Sequence, residues 1–210
     1  MSDQQPARDA TPAPPVTPRP AASLLVLREG AAGPDVLMGM RGAGHRFMPN
    51  RLVFPGGSVD PEDHAAPAGS ELLPPVLSRL TRGVEPGLAR ALAIAAAREL
   101  FEETGLSLGH PPALDGLDYL CRAITPPTAP LRFDAHFFVV PVGRVSGDIA
   151  GSGELEGLRY YGVAEAMALD LAFATKSVFE RLLEWLAMSP DERAARTRVP
   201  VLRERKWRDE

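Results

Sequence analysis

One cysteine, Cys121, occurs in 210 residues, so an internal disulfide is excluded and no second thiolate is available to complete a zinc site. No run approaches the ~20 apolar residues that a membrane-spanning helix needs. Lysine is nearly absent, at 2 residues against 21 arginines, which reads as coding bias rather than chemistry. An excess of positive charge is missing too. The net charge is -4 and the pI about 5.6, so no basic field points to nucleic acid. The N-terminus lacks the basic-then-apolar order of a secretory signal, and Asp3 and Asp9 argue against an organellar transit peptide. What is there is ordinary for a globular chain: 45% hydrophobic and 24% charged residues exclude disorder throughout. The protein is therefore expected to be soluble and cytoplasmic, with neither nucleic acid nor membrane as a partner.

Residues 1–20 carry six prolines and nothing able to build a core, and are expected to form a disordered Pro/Ala-rich tail. Residues 23–28 and 35–41 read as two strands of a hairpin around a turn at 30–34. A short strand at 52–54 stops at Pro55-Gly56-Gly57, where adjacent glycines let the backbone bend sharply or approach a ligand. Residues 58–85 are rich in Pro, Gly, Ala and acid, too long for an ordinary connection, and read as an insertion or lid with a short helix near 76–81. Residues 86–104 are strongly helical, with Pro86 in the first turn and Gly105 as the stop. Strands follow at 118–124, 132–142 and 155–161, and helices at 164–168 and 177–188. Seven basic and five acidic side chains make 191–210 read as a charged, partly ordered C-terminal tail. Strands alternating with helices give an α/β class, and the hairpin requires a mixed β-sheet.

The chemistry concentrates in Arg98-Glu99-Leu100-Phe101-Glu102-Glu103-Thr104-Gly105-Leu106. At about 100° per residue, Glu99, Glu102 and Glu103 occupy roughly one third of the helix circumference. Leu88, Leu92 and Ala95 continue that sector, while Ile94, Ala97 and Phe101 make a second apolar face, so the helix is expected to be sandwiched. A bare Glu-x-x-Glu-Glu usually faces water. Here the acids extend an interior stripe, where burial and mutual repulsion disfavour their charge. A divalent cation with a preference for hard oxygen ligands, Mg²⁺ or Mn²⁺, would compensate.

Arg98 through Leu106 resembles the second half of the Nudix hydrolase box, G-x5-E-x7-R-E-U-x-E-E-x-G-U, where U is aliphatic. Phe54-Pro55-Gly56-Gly57 resembles its front, with about thirty residues inserted between. The resemblance covers roughly 21–190 and implies an α/β/α sandwich, Mg²⁺ or Mn²⁺, and a nucleoside diphosphate derivative as substrate. It assigns Glu99, Glu102, Glu103 and the Gly57 carbonyl to the metal, with Arg98 orienting the carboxylates. One position departs. Counting back from Arg98 puts Arg90 where the first Glu of the box belongs and Val84 where the Gly belongs. That Glu normally supports the arginine, and Glu85, Glu62 or Asp63 are the candidates to replace it.

Arg41-Gly42-Ala43-Gly44-His45-Arg46 before Phe-Pro-Gly-Gly is similar to the signature of coenzyme A diphosphatases, with Gly42, Asn50 and Leu37-Met38-Gly39 departing from it. This implies that Arg41 and Arg46 bind substrate phosphate, as the planar guanidinium fork suits. Coenzyme A or acyl-coenzyme A is then the expected substrate, cleaved to 3′,5′-ADP and (acyl-)4′-phosphopantetheine. ADP-ribose, NADH or another nucleoside diphosphate derivative is the alternative, and a non-catalytic ligand-sensing domain is the rival from another class. Glu99, Glu154 and Glu156 are the candidate catalytic bases. A homodimer is compatible with the resemblance. Asp134 and His136 share a strand face by two-residue alternation and read as an exposed polar edge, and Cys121 as a small buried side chain.

Overall fold

The computed structural model describes residues 16–44 and 48–210. Residues 1–15, most of the expected tail, lie outside the described residues, as do His45 and Arg46. The strand β1, Arg19–Gly30, begins inside the segment expected to be tail. It is the longest strand and organises the sheet. On one edge its start pairs with β4, Gly56–Ser58, and its end with β2, Gly33–Arg41; on the other it runs parallel to β6, Phe133–Pro141. β2 also pairs with β3, Leu52–Val53, and with β7, Leu155–Gly162. Beyond β6 comes antiparallel β5, Asp118–Ile124.

Alternation along the strands feeds two cores. Ala22, Leu24 and Val26 of β1 face the helices α1, Pro74–Leu80, and α2, Pro86–Thr104. Leu25 faces α3, Val163–Met167, and α4, Phe173–Ala187. The architecture is an α/β/α sandwich on a mixed sheet. Residues 89 and 91–97 of α2 are all buried, and the alanines among them carry too little side chain to hold helix and sheet apart. Phe101, expected on a buried face, is 46% exposed, with its ring edge-on to that of His110. Among the described residues no helix is long and apolar enough to cross a membrane.

Three expectations need correction. Residues 191–210 do not trail away from the domain: they form α5, Pro190–Ala195, and a hairpin of β8, Pro200–Arg203, and β9, Lys206–Asp209. β8 adds in parallel to β5 and extends the sheet. Val199, Val201 and Leu202 drive this by burying themselves among the charges, Val201 toward α2 and Leu202 toward α4. Residues 58–85 are no free lid either, since Leu72, Val76 and Leu80 join the α2-side core. Arg90 of α2 clamps this stretch through Glu71 at 3.1 Å and the Ala66 carbonyl at 2.8 Å. Finally, His136 is 1% exposed. Its Nδ1 lies 2.8 Å from the Tyr119 hydroxyl, and burial pushes its pKa down to about 4, so the pair is core and not polar edge.

Candidate active site at the end of the long helix

α2 ends where Gly105 takes a left-handed conformation, φ 75°, and returns its N–H to the Phe101 carbonyl. The stop leaves the last turn of α2 against the glycines that open β4. Glu103, 3% exposed, accepts the Gly56 N–H at 2.7 Å. Glu99 packs on Gly57 so closely that a Cβ there would lie 2.2 Å from its carboxylate oxygen, and a larger residue would have to displace that carboxylate. Two of the three expected acids are thus seated on the Gly56-Gly57 backbone. Glu102 turns outward to Arg98 and stays half exposed.

Arg98 organises the group. It donates to Glu99 at 2.9 Å, to Glu102 at 3.1 Å and to the Ser58 carbonyl at 3.0 Å. Asp63 accepts from it bidentately, at 3.0 and 3.1 Å, from a buried position in the 3-10 turn Pro61–His64. Asp63 therefore supports the arginine, and Glu62 and Glu85 do not bond to it. Counting forward from Gly57 would have found it. Five residues separate Gly57 from Asp63, the spacing of the box's Gly and first Glu, while thirty-four instead of seven separate Asp63 from Arg98. The extra residues sit between two halves that the fold brings together.

Electrostatics mark the same place. Burial raises the pKa of Glu99; Arg98 opposes the shift, and Glu102 and Glu154 add to it. Glu103 is pushed up to about 7, first by burial and then by Glu99 and Glu154, against the Gly56 N–H and Arg41. Burial works against the charge of Arg98, but its hydrogen bonds to Asp63 and the neighbouring Glu99 prevail and hold it protonated more firmly than usual.

Glu154, exposed in the loop before β7, is thus within electrostatic reach of both Glu99 and Glu103. Glu156 is exposed on β7 opposite Met40. Arg41 ends β2, reaches the Gly56 carbonyl at 3.4 Å, and keeps a buried Nε that has no acceptor among the described residues. A cavity of about 230 Å³ adjoins Arg41 and Gly56-Gly57 on the α4 side of the sheet, lined by Phe54, Phe133, Phe137 and Phe173. Leu202 and Arg205 of the C-terminal hairpin also line it, which a reading of that segment as tail could not anticipate.

Among the described residues, no three carboxylate, imidazole or thiolate groups already surround a cation-sized space. Arg98 draws Glu102 and Glu99 to itself, so the expected trio does not close. The donor chemistry nonetheless fits a hard divalent cation. Burial first, and then the neighbouring acids, raise the pKa values of Glu99 and Glu103, and a cation would offset both the lost hydration and the repulsion.

Comparison with solved structures finds Nudix hydrolases. One from Alicyclobacillus acidocaldarius is 25% identical with a TM-score of 0.62, over 78% of this chain and 90% of that one. A MutT Nudix hydrolase from Burkholderia pseudomallei is 19% identical, TM-score 0.52, over 80% and 99%. The Nudix domain of Shewanella oneidensis NrtR, solved with ADP ribose, is 15% identical, TM-score 0.51, over 82% and 90%. No protein-family model and no curated protein matches the chain. The mixed α/β sandwich of this chain is the fold of these Nudix hydrolases.

Proposed function

We propose that the chain is a divalent-metal-dependent diphosphatase that hydrolyses coenzyme A or acyl-coenzyme A. The Nudix hydrolase neighbours support a hydrolase acting on phosphoric anhydride bonds. The observation that carries the reading is the joining of two separated box halves at one point, with Arg98 bridging Asp63 and Glu99 and Glu103 seated on the glycine turn.

In this reading Glu99, Glu102, Glu103 and the Gly57 carbonyl hold Mg²⁺ or Mn²⁺, which when bound neutralises diphosphate oxygens and lowers the pKa of a water. Asp63 fixes Arg98, and Arg98 fixes Glu99 and Glu102, so the carboxylates are oriented before substrate arrives. Arg41, which lines the cavity beside Gly56, binds a phosphate oxygen through its guanidinium. Arg46, a few residues on, is assigned the same task by the resemblance. The aromatic cavity takes the nucleoside. Glu154 is the favoured base because its charge acts on both Glu99 and Glu103, with Glu99 and Glu156 the other candidates. The water oxygen bonds to one phosphorus, its proton passes to the base, and the bridging P–O bond breaks to leave two phosphomonoesters, 3′,5′-ADP and (acyl-)4′-phosphopantetheine.

A panel of coenzyme A, NADH and ADP-ribose, followed by product chromatography with Mg²⁺ or Mn²⁺ and beside a Glu102→Gln control, tests this. Metal-dependent cleavage with coenzyme A preferred is the expected result. Preference for ADP-ribose would keep the diphosphatase and replace the substrate. Binding without cleavage of any compound would make the chain a ligand sensor.

A further inference from the structure

Arg205 stands at the tip of the β8–β9 hairpin. Glu204 and Arg205 both have positive φ, 49° and 64°, the shape of a two-residue turn that favours Asn and Gly. Parallel pairing of Leu202 with Ala123 and of Arg203 with Ile124 carries this tip past the end of β5 to the aromatic cavity. There the Arg205 guanidinium lies over the Phe173 ring, 4.0 Å from its centroid. Stacking fixes the plane of the group while leaving its edge N–H donors free. Nearby, Arg203 pairs with Glu210 and Arg198 with Asp209. Among the described residues no carboxylate pairs with Arg205. The same wall holds Phe173, Ala174 and Thr175, the first turn of the 15-residue α4, whose preceding residue Ala172 provides no side-chain cap. Positive character on this wall therefore has no partner within the described chain.

We propose that Arg205 is a specificity-determining residue that binds a phosphomonoester carried by the substrate in addition to its diphosphate. The inference rests on the diphosphatase reading and deepens it. Arg41 and the glycine turn adjoin the acids of α2, while Arg205 comes to the same cavity from the opposite end of the chain. A ligand with a base among the phenylalanines and its diphosphate at Gly56-Gly57 would have a second phosphate on the ribose to present to Arg205. Coenzyme A meets that description through its 3′-phosphate, and dephospho-coenzyme A does not.

Arg205→Asn removes the charge and suits the left-handed turn, so the hairpin is retained. Arg208→Ala, on β9 and outside the cavity, is the control. Wild type should prefer coenzyme A over dephospho-coenzyme A in kcat/KM by roughly ten- to a hundred-fold, the worth of one charge-assisted contact. Arg205→Asn should bring that ratio close to one, and Arg208→Ala should leave it at the wild-type value. Calorimetric binding of 3′,5′-ADP against AMP repeats the comparison without turnover. Coenzyme A cleavage with a preference untouched by Arg205→Asn would overturn the inference and leave the hydrolase reading standing. Failure to cleave either compound, with a bisphosphate preference that Arg205→Asn abolishes, would sink the hydrolase reading and uphold the phosphate site.

Discussion

Glu103 should destabilise the metal-free protein at neutral pH, and replacing it with Gln should show by how much. Its ordinary pKa is 4.5 and burial lifts it to about 7 in the folded chain. Below pH 4.5 the carboxyl is neutral both folded and unfolded, and its contribution to stability is fully present. Between 4.5 and about 7 the unfolded chain releases its proton while the folded chain holds on, so stability falls as pH rises. Above 7 both states are ionised and the loss is complete. At 1.36 kcal/mol per pKa unit the loss is about 3 kcal/mol. For a domain of this size that corresponds to a melting temperature lower by roughly 6–12 °C. Gln cannot titrate, and its amide oxygen can still accept the Gly56 N–H. Thermal unfolding in EDTA from pH 4 to 8.5 should therefore find Glu103→Gln and wild type alike at low pH and the variant more stable by about 3 kcal/mol at pH 8. Adding Mg²⁺ at pH 8 should raise wild type more than the variant, because only wild type keeps the full acid set. A difference between the two proteins that does not vary with pH, or that favours wild type at pH 8, would refute the reasoning.

Asp63→Ala leaves half-buried Arg98 without its bidentate partner and should cost about 3 kcal/mol in urea unfolding, whereas Glu62→Ala should stay within about 0.5 kcal/mol. Equal effects would mean that Asp63 does not hold the arginine. Glu154→Gln should lower kcat with coenzyme A by roughly a hundred-fold or more if it is the base, and Glu156→Gln by less than about three-fold; the reverse ranking in steady-state assays would exchange their roles. Deleting residues 199–210 removes three buried side chains from the sheet and should lower stability by roughly 3–6 kcal/mol, read by calorimetry. An unchanged melting temperature would restore the reading of that segment as a tail.

Local chemistry was legible where one element contains its own reasons. Pro86 at the start, Gly105 at the stop and the alanines between define α2 without outside help, and its carboxylates follow from a three- and four-residue spacing. The β1–β2 hairpin is readable for a similar reason, since the register of adjacent strands depends on the turn between them. Asp63 could be named only as one of three candidates, because periodicity along α2 reports that something covers the helix and not which segment does. Backward counting from Arg98 stays on α2 and finds Arg90, which instead ties down the inserted stretch.

The C-terminal hairpin was missed for a related reason. Twelve charged side chains in twenty residues obscure Val199-Pro200-Val201-Leu202, a run too short to announce a strand alone. It becomes one because β5 presents an open edge in parallel register and each sheet face receives one side chain, Val201 or Leu202. Trp207 of β9 packs on the α4-side core and closes the hairpin. Those pairings also decide where the charges go. Arg122 links Asp134 on β6 to Glu210 at the chain end, and Arg203 takes the other oxygen of Glu210, so the final residue is bound from two strands. Arg205 instead lines an aromatic cavity, and among the described residues no carboxylate pairs with it. No count of charge along the chain could separate it from Arg203 two residues before, because the difference lies in which face of the sheet's edge each one reaches.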